Sequence, residues 1–174
     1  GTEMALNMLK KKIAVTAALS IDSLFALPSF RMNERVFITL LRMRELAVKK
    51  FMIQSRMPEL PIFKHVLNGN ISDFYKEEKT MRRSLEYPPF TTLIKLSVEG
   101  SKQAVEREVV FIKKYLVEYE LFIFPAFISK VRQKYIMHAV IKVSPEEWPD
   151  DKLLSLLREL PPSVAINVDP EHLL

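Results

Sequence analysis

The residues of this chain best suited to chemistry are cations gathered beside one aromatic ring. Positions 121–145 carry Lys130, Arg132, Lys134 and Lys142 and no Asp or Glu, and Tyr135 directly follows the first three. If Gln133-Lys134 is the two-residue turn of a hairpin, Arg132 and Tyr135 face each other and Lys130 lies two residues back on the same face. Cations neutralise phosphates and a ring offers a stacking surface, so the pattern fits a nucleic-acid end or a single strand. The competing reading packs Tyr135 into the core and leaves the lysines solvated.

Little else in the sequence suggests chemistry of its own. His65, His138 and His172 are scattered with no carboxylate at ligand spacing, and cysteine is absent, so no metal site is expected. There is no paired-carboxylate, Ser/His/Asp or Cys/His arrangement, and no catalytic residue is assigned. With three glycines and no G-x-x-x-x-G-K-[ST] pattern, the chain lacks a P-loop and is not expected to hydrolyse ATP by itself. The apolar runs near Ile13–Leu19 and Leu121–Ile128 are too short for a membrane span, no signal peptide is recognisable, and a cytoplasmic location is expected. The chain opens on Gly1 instead of methionine, as a fragment would. Its net charge of +5 is uneven: residues 1–60 carry ten Lys/Arg against five acids, residues 101–174 ten against eleven.

The elements that must position these residues change character at LEYPPFTTLIKLSVEG, residues 85–100. Pro88 and Pro89 end a helical run, and the alternation of Thr92, Ile94, Leu96 and Val98 then predicts a strand with one apolar face. Before this hinge, IAVTAAL (13–19) reads as a buried parallel strand. A helix capped by Ser29 follows to about Leu46, with Val36, Leu40 and Met43 inward, and KKFMIQSR (49–56) is a second strand. Pro61–Asn68 predicts a short helix closed by Gly69, and Ser72 or Asp73 caps another with Phe74, Met81 and Leu85 inward. After the hinge come a strand, an amphipathic helix over 101–120, two strands around the basic turn, a helix from the capping box at Ser144-Pro145-Glu146-Glu147, and a last strand at Val164–Val168. That order is the ferredoxin-like βαββαβ unit. The fold class expected is α/β with an α+β C-terminal domain: 1–60 a remnant of a parallel lobe, 61–86 a helical linker, and 87–174 a self-contained α/β domain.

Several separated motifs resemble one family. GTEM (1–4), DSLFALPSFRMNER (22–35), MIQSRMPELP (52–61), EYPPF (86–90), PAFISKVRQKY (125–135) and NVDPEHLL (167–174) are similar, in order, to segments of the primosomal protein N′ family of replication-restart helicases. Gly1, Thr2, Phe30, Arg31, Glu34 and Arg35 match its helicase motifs position by position. The resemblance implies that 1–60 ends a RecA-like helicase lobe and that the parent is an ATP-dependent 3′–5′ DNA helicase using ATP, magnesium and zinc, none of them held by this chain. It implies forked or single-stranded DNA as partner, together with primosome loading proteins or single-strand-binding protein, and no membrane. Where the family carries Gln-x-x-Gly-Arg-x-Gly-Arg, this chain has LLRMRELAVKK (40–50). Arg42 and Arg44 then read as solvated helix-end residues in preference to a replacement arginine finger, whose loop needs the missing glycines. Arg31 and Arg35, flanking Glu34, read first as an internal ion-pair brace.

Three functional readings follow: the C-terminal region of a restart helicase, contributing fork and partner binding; a degenerate, non-catalytic nucleic-acid-binding module; and, by fold analogy with a ribosomal protein, a binder of structured RNA.

Overall fold

The structure is a computed structural model and describes residues 3–9, 11–26, 29–131 and 134–173, with backbone alone at 3 and 127–131. In chain order its elements are α1 (Glu3–Met8), β1 (Ile13–Ala18), α2 (Asp22–Phe25), α3 (Met32–Leu46), β2 (Ala47–Ile53), α4 (Pro61–Asn68), α5 (Ile71–Ser84), β3 (Thr92–Gly100), α6 (Lys102–Tyr115), β4 (Leu121–Val131), β5 (Lys134–Val143), α7 (Asp151–Arg158) and β6 (Val164–Val168). This mixed α/β chain divides into two compact units, Gly1–Met81 and Arg82–Leu174.

The first unit is built on β1 and β2, a parallel pair connected through α2 and α3. Its core joins Ala18, Ile21, Met32, Val36, Phe37 and Leu40 to Ile62, Phe63, Val66 and Phe74. Within the stretch 61–86, read in sequence as a helical linker, α4 and α5 turn apolar side chains into this core. Phe37 and Phe74 stack there with ring centroids 3.9 Å apart. The expectation that β1 is buried on both faces fails: only Thr16 and Ala18 are buried, and Val15 and Leu19 are exposed, since among the described residues β1 has a single partner strand. Leu85, expected inward on α5, lies beyond the helix and is exposed.

Helix boundaries in this unit follow side-chain caps only in part. Ser29 does not cap α3 in the expected way. Its Oγ accepts the Arg31 N–H at 3.2 Å, and the helix starts at Met32. Asn70, not Ser72 or Asp73, starts α5, its Oδ1 accepting the Asp73 N–H at 3.2 Å. Gly69 closes α4 as its sequence position predicts, in the left-handed region at φ 65°. The Asn70 N–H returns to the His65 carbonyl at 2.9 Å and the Gly69 N–H to that of Val66 at 3.1 Å, the Schellman pattern.

In the second unit, β3 pairs antiparallel with β5 on one side and β6 on the other, and β4 completes the sheet in the order β4-β5-β3-β6. Ile94, Leu96 and Val98 of β3, with Ala139, Ile141 and Val143 of β5, form one core with Val105, Ile112 and Leu116 and with Leu153 and Leu157 of α7. Burying each of the larger side chains contributes about 1.5–3 kcal/mol. Ser101 caps α6, accepting the Ala104 N–H at 3.3 Å. The capping box at Ser144 is not used. Residues 144–147 form a turn, and Asp150 caps α7 by accepting the Lys152 N–H at 3.0 Å. Pro149 explains the difference, because it disfavours helical backbone at Trp148.

A Cβ at Gly69 would lie 3.0 Å from an Arg44 guanidinium nitrogen, which can move, whereas the left-handed backbone cannot change without losing both capping bonds. Gly69→Ala should therefore destabilise the first unit by about 1–2 kcal/mol. Urea unfolding monitored by circular dichroism measures this, and an unchanged midpoint contradicts it.

Candidate nucleic-acid interface

β4 and β5 form a hairpin, but the partner of Tyr135 lies two residues from the one expected. Lys130 pairs with Tyr135 and Val131 with Lys134, which leaves the connection to positions 132–133. Lys134 is thus a strand residue. Farther from the turn the register shifts again. Between the pairs Pro125↔Met137 and Lys130↔Tyr135, β4 advances five residues while β5 advances two, an excess of three on the edge strand. A proline that cannot donate to the ladder opens this irregularity.

Side-chain alternation then separates the hairpin residues. Tyr135 falls in phase with Met137, Ala139 and Ile141 and packs half-buried against the core. Lys134 lies on the opposite face, where its Nζ meets Glu99 Oε1 at 2.9 Å with both side chains largely exposed. Such a surface pair contributes little to stability and yields readily to another anion. The side chain of Lys130 and the whole of Arg132 lie outside the described residues.

Lys142, the fourth cation of the acid-free stretch, is held by the hinge. Its Nζ donates to the Leu85 carbonyl at 3.0 Å, approaches Glu86 Oε2 at 3.4 Å and stands 5.0 Å from the Phe122 ring and 5.6 Å from that of Tyr87. The hinge itself has a cis Pro88–Pro89 peptide, and Arg83 stacks on Phe90 at 4.6 Å. Phe122 is not among the residues that charge and composition single out. Its place opposite Val140 puts it on the face that also carries Lys142.

The helicase-motif positions belong to the first unit. Gly1 and Thr2 are outside the described residues. Phe30 is buried, Arg31 lies over its ring at 5.3 Å, and the Arg35 N–H bonds the Arg31 carbonyl at 3.0 Å. Glu34 Oε1 accepts from the Tyr75 hydroxyl at 3.4 Å. Arg42 reaches Asn7 Oδ1 at 3.4 Å, and the Arg44 guanidinium packs on Gly69. Asp22, which reads in sequence as a turn residue, makes a tertiary contact instead. Its carboxylate accepts from Ser55 Oγ at 2.6 Å and from the Arg56 N–H at 2.8 Å, tying together the segments that follow β1 and β2. Those two bonds, the Ser55 hydroxyl first, hold its carboxyl below the usual range.

Residues 83–171 match the family model described as Primosomal protein N C-terminal domain. The chain belongs to this family. Its match begins next to the boundary of the second unit and takes in β3 through β6, so the basic hairpin is part of the primosomal protein N C-terminal domain, and the motif positions 30–35 are not. Replication restart protein PriA of Thermotoga maritima is 27% identical over 180 residues, covering 99% of this chain and 24% of that protein. The protein of the same name from Chlamydia muridarum is 34% identical over 101 residues, 55% of this chain and 13% of its own length. That of Borreliella burgdorferi is 30% identical over 91 residues, 49% and 14%. The chain therefore spans about a quarter or less of the length of these relatives.

Within the domain, His138 is buried beside Phe124, and Ser97 Oγ and His138 Nδ1 are hydrogen-bonded at 2.9 Å. Burial, and then the Lys95 charge, push its pKa from the ordinary 6.5 down to about 4. Between those values the unfolded chain binds a proton that the folded chain does not, so the second unit should be fully stable above about pH 6.5 and lose stability as pH falls toward 4. Chemical unfolding from pH 7 to 4.5 should show this loss, and it should shrink in His138→Asn. An identical pH slope in the two proteins contradicts the assignment.

Proposed function

We propose that this chain acts in replication restart as the DNA-contacting end of a primosomal protein N′-type helicase and does not itself hydrolyse ATP. The observation that carries this reading is the coincidence of two features. The matched segment 83–171 contains the acid-free basic stretch, and that stretch forms a hairpin at the edge of a sheet. Phosphate binding driven by such cations is sequence-tolerant, as recognition of a fork requires.

The finer architecture belongs to the same proposal. The order β3-α6-β4-β5-α7-β6, with sheet order β4-β5-β3-β6 and every pair antiparallel, supports a ferredoxin-like C-terminal domain. The parallel β1–β2 pair with its connecting α3 supports the end of a RecA-like lobe. The alignment along 99% of the chain with the Thermotoga maritima protein agrees with both. ATP and its magnesium would be held by parts of the parent that carry a P-loop, since no such pattern occurs in this sequence. Forked or single-stranded DNA is the partner, with primosome loading proteins or single-strand-binding protein as protein partners, in the cytoplasm.

The test is a salt titration of binding to forked DNA. Lys130→Ala with Arg132→Ala should weaken binding and reduce the slope of log K against log salt by about 0.7–0.9 for each phosphate no longer neutralised. The unaltered chain should release no phosphate from ATP when DNA is added. Unchanged affinity and slope in the double variant contradict the hairpin as the DNA-binding element, and preference for structured RNA over forked DNA favours the RNA-binding reading.

A further inference from the structure

The sheet of the second unit has two outer strands, and they are protected differently. β4 carries Pro125 and the irregularity that follows it, both of which discourage a further strand from pairing there. β6, with the sequence VAINV, carries no proline and no charge and keeps an uninterrupted register with β3. Among the described residues it pairs with β3 alone. All of it but Val164 is exposed, Ile166 and Val168 at 41% each.

The ladder fixes which backbone groups this open edge presents. The Asp169 N–H donates to the Leu93 carbonyl at 2.8 Å, so Leu93 and Asp169 are a hydrogen-bonded pair. Such pairs alternate along an antiparallel ladder. Asn167 and Ala165 therefore also bond β3, while Val164, Ile166 and Val168 turn their backbone groups outward. The Val164 N–H is closed on the Pro161 carbonyl at 2.9 Å. The Ile166 N–H and carbonyl, the Val164 carbonyl and the Val168 N–H face the edge. The side chains of Ile166 and Val168 stand beside Leu96 and Ile94, on the face of the α6–α7 core but not covered by it.

We propose that β6 pairs antiparallel with β6 of a second copy of this chain, about a twofold axis at Ile166. In that register the Ile166 N–H and carbonyl meet the same groups of the other copy, and each Val168 N–H donates to the opposite Val164 carbonyl. Ile166 packs on its counterpart and Val168 on Val164, so the exposed apolar side chains cover one another. On the other face Ala165 stands across from Asn167, with no like charges opposed. Pro162 and Pro170 come opposite each other at both ends and close the pairing, since neither can donate to a ladder. One register thus matches donors, acceptors and both side-chain rows of the strand to itself, which is why a second copy is the occupant. Because the paired strands run in opposite directions, the two basic hairpins point to opposite ends of the joined sheet. An edge this short makes a small interface, so the dissociation constant is on the order of 0.1 mM.

Sedimentation velocity of the full chain over a concentration series should show a monomer–dimer equilibrium. Ala165→Glu with Asn167→Glu sets like charges across the axis and should weaken it about fivefold or more, whereas Ala165→Lys with Asn167→Glu sets opposite charges there and should restore it. Both positions are exposed, and circular dichroism checks that the variants fold. Disulfide formation reads the register, because the chain has no cysteine of its own. Across a pair that is not hydrogen-bonded the Cα atoms lie about 4.5 Å apart, within bridging range. An oxidised mixture of Ala165→Cys and Asn167→Cys chains should therefore give the mixed dimer in preference to either homodimer. A chain that stays monomeric at about 0.5 mM overturns the proposal. So does a dimer whose affinity ignores the charge changes and whose disulfides show no preference for the bridge between 165 and 167.

Discussion

The second unit depends on one strand being paired along its whole length. Every residue from Thr92 to Gly100 has a partner on β5, and Ile94 to Val98 have partners on β6 as well. Because strand side chains alternate, this uninterrupted register decides at once which residues of three strands meet the helices and which face away. A slip of one residue would bury Lys95 and Lys142 and expose Leu96 and Ile141, so the hydrophobic core and the basic face are two results of one constraint. The edge strand β4 is tied less tightly, and its excess of three residues over β5 falls between Pro125 and Lys130.

That difference explains what can be read from the chain alone. The alternation of Ile94, Leu96 and Val98, the helix stripe of Val105, Ile112 and Leu116, and the glycine ending α4 are local patterns, and each appears in the structure where its residues indicate, although Leu93, on the face expected to be wet, is buried. Tyr135 pairs with Lys130 and not with the residue the expected turn would set opposite it, and the irregularity between Pro125 and Lys130 has no periodic signature. The capping box at Ser144 has the right spacing, yet Pro149 four residues on from Pro145 prevents helix there, and Asp150 is the cap used. Residues 61–86 read as a helical linker because the partners of their apolar side chains, Phe37 among them, lie far away in sequence. Contacts across such distances, like that of Asp22 with Ser55, are invisible to periodicity.

Of the candidate site, residue types are more legible than geometry. The basic, acid-free stretch stands out by composition. Its division into Tyr135 on the core side, Lys134 beside Glu99, and Lys142 under the hinge emerges only from register and tertiary packing. Lys142 also links two features that are separate in sequence, the YPPF turn and the basic stretch, since it bonds the Leu85 carbonyl while lying against Phe122 and Tyr87.

The central claim is that DNA is contacted by the second unit, through its basic hairpin. Hydrogen–deuterium exchange of the full chain, with and without forked DNA and read by mass spectrometry, tests it most directly. The account predicts added protection concentrated in residues 121–142 and in the hinge at 85–90. Protection confined to residues 1–56, with the hairpin and sheet unchanged, would contradict it.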